Sequence, residues 1–221
     1  MSCVAILIPA AGAGRRMRGR DKLLEQIDGV ALLSRVVQRA CSVSRDVIVA
    51  LPSRSHPRHD CLRAHNARVV EVPDPSEGMA ASIRAGITAV PQGCDGVMIL
   101  PADMPDLTQQ DLALMLDTFH NHNHAMICRA VSQHGTAGHP VIFPSTFLPA
   151  LGAVRGDEGG RAILRKNIDR LIKITLPGDH ALTDLDSPEA WQAWRSRRAV
   201  NSPTEAPKNL FSTGHYRRPR D

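Results

Sequence analysis

The chain has 221 residues, 43% hydrophobic but only 3% aromatic, which suits a single α/β domain with an aliphatic core and excludes a chain too polar to fold. The net charge of +5 invites a nucleic-acid reading, but seven of the 27 Lys/Arg and two of the 22 Asp/Glu lie from Arg195 onward, leaving twenty of each sign in residues 1–194. A neutral body with a basic tail gives no reason to expect nucleic acid as its partner.

The elements alternate from the start. Strands are expected at Val4–Ile8, Val47–Leu51, Val69–Val72, Val97–Leu100, Ala125–Val131, Val141–Phe143 and Leu171–Leu176, each a short Val/Ile-rich run. Between the first two, Leu32, Leu33, Val36, Val37, Ala40 and Cys41 recur at helical spacing. "HPRHDCLRAH" at 56–65 reads as a polar helix turning Cys61 and Leu62 inward, rather than as a zinc site. Ser82, Ala85, Gly86 and Ala89 give a small-residue helix face after Gly78. Thr108 and Asp111 make a capping box opening Gln109–Phe119. "HNHNH" at 120–124 reads as a helix-to-strand turn. Ser187-Pro188-Glu189 supplies an N-cap and a first-turn proline ahead of Trp191 and Trp194, which share one face.

This order predicts an α/β fold of three layers, Rossmann-like, with a mostly parallel sheet. The short polar link "SQHGTAG" predicts an antiparallel departure in the second half. One domain is expected over residues 1–198, followed by a disordered basic tail at 199–221. The apolar run at the N-terminus lacks a preceding charged segment, and no run reaches bilayer length. A cytoplasmic protein with no membrane partner is therefore expected. The five cysteines, Cys3, Cys41, Cys61, Cys94 and Cys128, are scattered without a CxxC and are expected as free thiols.

Residues 4–22, "VAILIPAAGAGRRMRGRDK", lead a strand into a glycine loop and then into positive charge. The dinucleotide pattern G-x-G-x-x-G fails because Met17 takes the third glycine's place, and no acid ends the second strand to hold a ribose. The P-loop pattern fails because Arg20-Asp21 follows Gly19 in place of Lys-Ser/Thr. What remains is an anion site made of backbone N–H groups and cations. Arg15, Arg16, Arg18, Arg20 and Lys22 put five cations into eight positions, dense enough for a triphosphate. A metal must then be held elsewhere. "LPADMP" delivers Asp103 at the end of the fourth strand, and "LTDLDSPEAW" puts Asp184 and Asp186 on one face of an extended segment. Magnesium commonly takes one or two carboxylates together with substrate phosphates.

Taken in order, "PAAGAGRRM", "DKLL", "EGMAASIRAG", "LPADMP", "GHPVIF", "GDEGGRAIL" and "DLDSPEAW" resemble the MobA-like nucleotidyltransferase superfamily over about residues 3–198. The closest likeness is to the molybdenum cofactor cytidylyltransferases. The resemblance implies the nucleotide-diphospho-sugar transferase-like form of the fold. It also implies Mg²⁺-dependent transfer of CMP from CTP to the terminal phosphate of a molybdopterin-type acceptor, releasing pyrophosphate. Ala10, Ala11, Gly12 and Gly14 would wrap the nucleotide, with Arg15 beside them. Arg16 would meet the β- and γ-phosphates and Lys22 the α-phosphate. Asp103 and Asp186, or Asp184, would bind magnesium. Asp74 and Ser82 would lie at the base or ribose, and His139, Pro140, Asp157 and Arg161 would line the acceptor side. A molybdoenzyme or its chaperone would be the protein partner.

Relatives using GTP tend to read "LAGG" in the first loop, whereas this chain reads Pro9-Ala10-Ala11-Gly12, like the cytidylyl branch. It departs from the family at Arg18, where glycine is usual, at Ala31, where proline is usual, and at Ala80-Ala81-Ser82, which keeps one serine of two. The alternatives are a GTP-using or sugar- or polyol-phosphate transferase, and a non-catalytic nucleotide-binding partner of a molybdoenzyme.

Overall fold

The computed structural model describes residues 3–156 and 160–201, without the side chains of Arg15 and Asn201. In chain order the elements are β1 (Val4–Pro9), the two-residue strands β2 (Gln26–Ile27) and β3 (Val30–Ala31), α1 (Leu32–Val43), β4 (Val47–Leu51), β5 (Arg68–Glu71), α2 (Met79–Ile87) and β6 (Gly96–Ile99). There follow α3 (Gln109–Asn121), β7 (Ile127–Val131), β8 (Ala137–Pro144), α4 (Leu148–Gly152), α5 (Arg161–Lys166), β9 (Leu171–Thr175) and α6 (Pro188–Asn201).

Seven strands form one sheet in the order β5-β4-β1-β6-β8-β7-β9. β4 and β6 flank β1 in parallel, and β9 runs parallel to β7; β8 alone is antiparallel to both its neighbours. This is the antiparallel departure that the short polar link called for. The consecutive buried positions of β1 divide between two layers, as in a sheet covered on both faces. Val4, Ile6 and Ile8 pack with α1, α3 and α6, while Ala5 and Leu7 pack with α2, α4 and α5. On the second face α2 lies close on β1, because a Cβ on Gly86 would stand 2.1 Å from the Leu7 side chain.

The expected caps form. Thr108 and Asp111 bond reciprocally at the start of α3, and Ser187 Oγ accepts from the N–H of Ala190 at the start of α6. Trp191 and Trp194 are both buried, their rings meeting edge-on at 6.0 Å. α6 runs to Asn201, so the expected tail begins inside a helix; residues 202–221 lie outside those described.

Two expectations are corrected. The segment 56–65 contains not an α-helix but a 3-10 turn, Pro57–Leu62, and it buries Arg58 together with Leu62, while Cys61 is only half-buried. Pro57 and the side-chain cap from His56 favour this tight turn. The cysteines are not all free either. Cys3 and Cys94 are disulfide-bonded, with Cα atoms 4.6 Å apart. They precede β1 and β6, whose adjacency brings together residues 91 apart in sequence. Cys41, Cys61 and Cys128 are free. Among the described residues no helix is long and apolar enough to cross a membrane.

Candidate active site

Topology delivers the expected residues to one rim. The carboxyl ends of β1 and β6 lie side by side and release the loop 10–14 and the segment ending at Asp103. Because β8 is antiparallel, its beginning, with Gly138 and His139, reaches the same rim. The chain after β9 then crosses it. Two backbone bonds pin that crossing: His139 N–H donates to Ala181 at 2.9 Å, and Leu185 N–H donates to the carbonyl of Asp103 at 3.1 Å. Gly138 permits the approach, since a Cβ there would lie 1.9 Å from the Ala181 carbonyl oxygen. Asp103 and Asp186, 83 positions apart, are thereby brought to one centre.

Lys22 is that centre. Its Nζ donates to Asp103 Oδ2 at 2.5 Å and also to Asp186 Oδ1. Arg16 reaches Asp186 Oδ2 at 2.5 Å from the solvent side. Burial alone would lower the Lys22 pKa, but the charges and hydrogen bonds of Asp103 and Asp186 hold it above its ordinary value. Burial would raise Asp186; the hydrogen bond and charge of Lys22, then the charge of Arg16, hold it below. Asp184 is raised, by burial first and then by the charges of Asp186 and Asp103. Three carboxylates therefore share one field. An all-oxygen donor set already clasping an ammonium would suit a hard cation such as Mg²⁺, and Asp103 and Asp186 are the residues that could hold it.

Beside this cluster opens a cavity of about 160 Å³ lined by Pro9, Ala10, Gly12, Lys22, Ser82 and Asp103, with Met79 and Ala102 among its apolar walls. A second cavity, about 520 Å³, lies along the other side of the loop, lined by Ala11, Gly12, Ala13, Gly14, His56 and Pro75 among others. The basic stretch is less concentrated on the site than its density suggested. Among the described side chains of this stretch, Arg16 and Lys22 join Asp103 and Asp186, whereas Arg18 pairs with Glu189 and Arg20 with Glu25. Arg15 opens the 3-10 turn Arg15–Met17, and Gly14 before it has φ +57°, a left-handed conformation that favours glycine. Asp74 is exposed, and its carboxylate caps the turn Pro75–Glu77 by accepting from the N–H and Oγ of Ser76.

Of the residues expected to line an acceptor, His139 is partly buried with no hydrogen-bond partner on Nδ1. Burial, then the charge of Arg129, push its pKa down to about 4, with Asp103 pulling the other way and Arg161 adding to the depression. Pro140 is buried. Asp157 lies outside the described residues. Sequence reasoning missed Arg129, whose Nε donates to the Gly138 carbonyl at 3.1 Å. It also missed Arg58, because nothing local marks a buried cation within a polar segment.

The chain matches the MobA-like NTP transferase domain over residues 6–171. It is 28% identical over 201 residues to the purine catabolism protein PucB of Bacillus subtilis (strain 168), covering 84% of this chain and 93% of that one. It is 27% identical over 192 residues to the molybdenum cofactor guanylyltransferase of Pseudomonas fluorescens (strain Pf0-1), covering 84% and 90%. In fold it is similar to Rv0371c from Mycobacterium tuberculosis H37Rv, with TM-score 0.75, 20% identity, and 88% and 98% of the two chains covered. A nucleotidyl transferase from Methanothermobacter thermautotroptrophicus also has TM-score 0.75, at 18% identity, with 91% and 100% covered. The match over most of the chain makes this protein a member of the MobA-like NTP transferase family and, with it, a nucleotidyltransferase.

Proposed function

We propose that the protein transfers CMP from CTP to the terminal phosphate of a molybdopterin-type acceptor, with Mg²⁺, forming the cytosine dinucleotide cofactor and pyrophosphate. The observation that carries the reading is the convergence of Lys22, Asp103 and Asp186 beside the loop 10–14. A phosphate oxygen of the acceptor attacks the α-phosphorus, the bond to the β-bridging oxygen breaks, and its electron pair leaves with pyrophosphate. An acceptor phosphate has a second pKa of about 6, so near pH 7 it is already an anion and needs no strong base. The task is to bring two anions together and stabilise the charge that develops. Lys22 supplies a partly buried ammonium and Arg16 an exposed guanidinium. A bound Mg²⁺ adds charge neutralisation at the phosphates. The charge of Arg161 is felt at His139; on this reading both would line the acceptor side, the neutral imidazole leaving the arginine to meet the anion.

Support for CTP comes from the loop Pro9-Ala10-Ala11-Gly12, which resembles the cytidylyl branch. Two of the relatives are guanylyltransferases, one named for molybdenum cofactor and one for phosphoenolpyruvate, so GTP is the second reading. Incubation with each NTP, Mg²⁺ and molybdopterin cofactor, followed by pyrophosphate release, separates them. CTP should be turned over at least tenfold faster than GTP; a preference for GTP removes the cytidylyl assignment. Nucleotide-dependent thermal stabilisation without any pyrophosphate would instead identify a binding protein.

A further inference from the structure

Arg58 is 2% exposed, yet it sits on a short turn away from the carboxylate cluster. Its guanidinium is fully engaged in one direction. Nε donates to Asp21 Oδ2 at 2.7 Å and one terminal nitrogen to Asp21 Oδ1 at 2.9 Å, a planar two-point grip. The other terminal nitrogen donates to the carbonyls of Ala10 at 2.6 Å and Gly12 at 3.0 Å. One side chain thus ties the glycine loop after β1 to the residue immediately before Lys22. The turn that carries it is itself fixed, because His56 Nδ1 accepts from the N–H of Arg58.

Peptide geometry turns this grip into a statement about donors. In a trans peptide the N–H of the next residue points opposite to the carbonyl. With the carbonyls of Ala10 and Gly12 drawn to Arg58, the N–H groups of Ala11 and Ala13 point away from it. Neither has an acceptor among the described residues. Two backbone donors on the loop are therefore held free for an anion, the arrangement by which glycine loops cradle phosphate. Asp21, gripped from behind, also accepts from the N–H of Leu23 at 3.0 Å and fixes the backbone on both sides of Lys22.

We propose that Arg58 is a positioning residue for nucleotide binding: acting through the Ala10 and Gly12 carbonyls and through Asp21, it holds the Ala11 and Ala13 N–H groups and Lys22 in place for the phosphates of an NTP. The inference rests on the nucleotidyltransferase reading of the same site. Lysine cannot substitute, because a point charge cannot grip one carboxylate twice and two carbonyls at once.

The test compares wild type, R58K, R58M and the double variant D21L/R58M. Melting temperature is measured, with affinity for Mg²⁺·CTP and Mg²⁺·GTP by calorimetry and KM for nucleotide and acceptor separately. R58M should raise the nucleotide Kd and KM at least tenfold and leave the acceptor KM within twofold. D21L/R58M removes both charges of the pair and should recover much of the melting temperature lost in R58M, yet keep the tenfold nucleotide defect. R58K should retain at least a fivefold defect. A double variant that regains nucleotide affinity along with stability, or an R58K with wild-type affinity, overturns the proposal by reducing Arg58 to a structural role. Wild-type protein that binds neither nucleotide overturns the functional reading beneath it as well, a result visible before any variant is made.

Discussion

Lys22 lies between two carboxylates, so removing either partner changes both the charge at the site and what can be bound there. Asp103→Ala is expected to lower pyrophosphate release by about a thousandfold, because it removes a proposed cation ligand and half of the clasp on Lys22. The side chain is partly exposed, so the melting temperature should move by no more than about 2–4 °C. Wild-type turnover in that variant would remove Asp103 from the site. Lys22→Met should cost about 10²–10³-fold in kcat, the usual scale for one donor aimed at developing charge. Away from the site, Cys128 on β7 is fully buried, and burial pushes its thiol up to about 11 from 9.0. A raised folded pKa stabilises the protein below the unfolded value, and that contribution is lost as pH climbs from about 9 to 11. Cys128→Ala should therefore flatten the alkaline fall in stability across this window; an unchanged slope would contradict it. Asp103 and Asp186 could be read from sequence because one follows a strand end and the other precedes a helix, and Lys22 because it closes the basic run after the glycine loop. Arg58 could not, because its partners Asp21, Ala10 and Gly12 meet it only after folding.

The strands were readable at the level of elements wherever branched aliphatic residues run together, as in β1 and β4. β8 proved longer than its apolar run, because Ala137, Gly138 and Pro140 hide a strand start from composition. The β2–β3 hairpin has only two residues a side, too few for any period to show. α4 and α5 are a turn or so long and held by packing against the sheet rather than by propensity. Two changes test the element-scale reading. Thr108→Ala removes one half of the α3 capping box and should cost about 1 kcal/mol, or about 2–4 °C in melting temperature, with kcat unaffected. Gly138→Ala should do the opposite in kind. Its Cβ meets the Ala181 carbonyl, so the segment carrying Asp184 and Asp186 must shift. Loss of kcat beyond tenfold is expected, along with lowered stability; full activity would mean that the segment's position is not set by this contact.

Across the whole molecule, the parallel sheet with one reversed strand explains why chemistry from four distant stretches shares a rim. The order β1-β6-β8 sets the glycine loop, Asp103 and His139 side by side, and the chain after β9 closes the site with Asp186. The sequence order of motifs revealed the membership and the rim, whereas the Cys3–Cys94 pairing was invisible because strand adjacency, not spacing, creates it. No residue assigned to the site lies beyond Asp186, so deleting residues 202–221 should leave kcat and nucleotide KM within about twofold; a larger loss would assign the tail to the site. The most direct test follows the phosphorus. CTP labelled at the α- or the γ-phosphate is incubated with Mg²⁺ and molybdopterin cofactor, and the products are separated. The α-label should enter the acceptor in a new pyrophosphate linkage, with one γ-labelled pyrophosphate released for each; γ-label in the acceptor, or labelled CTP left intact, would contradict nucleotidyl transfer at this site.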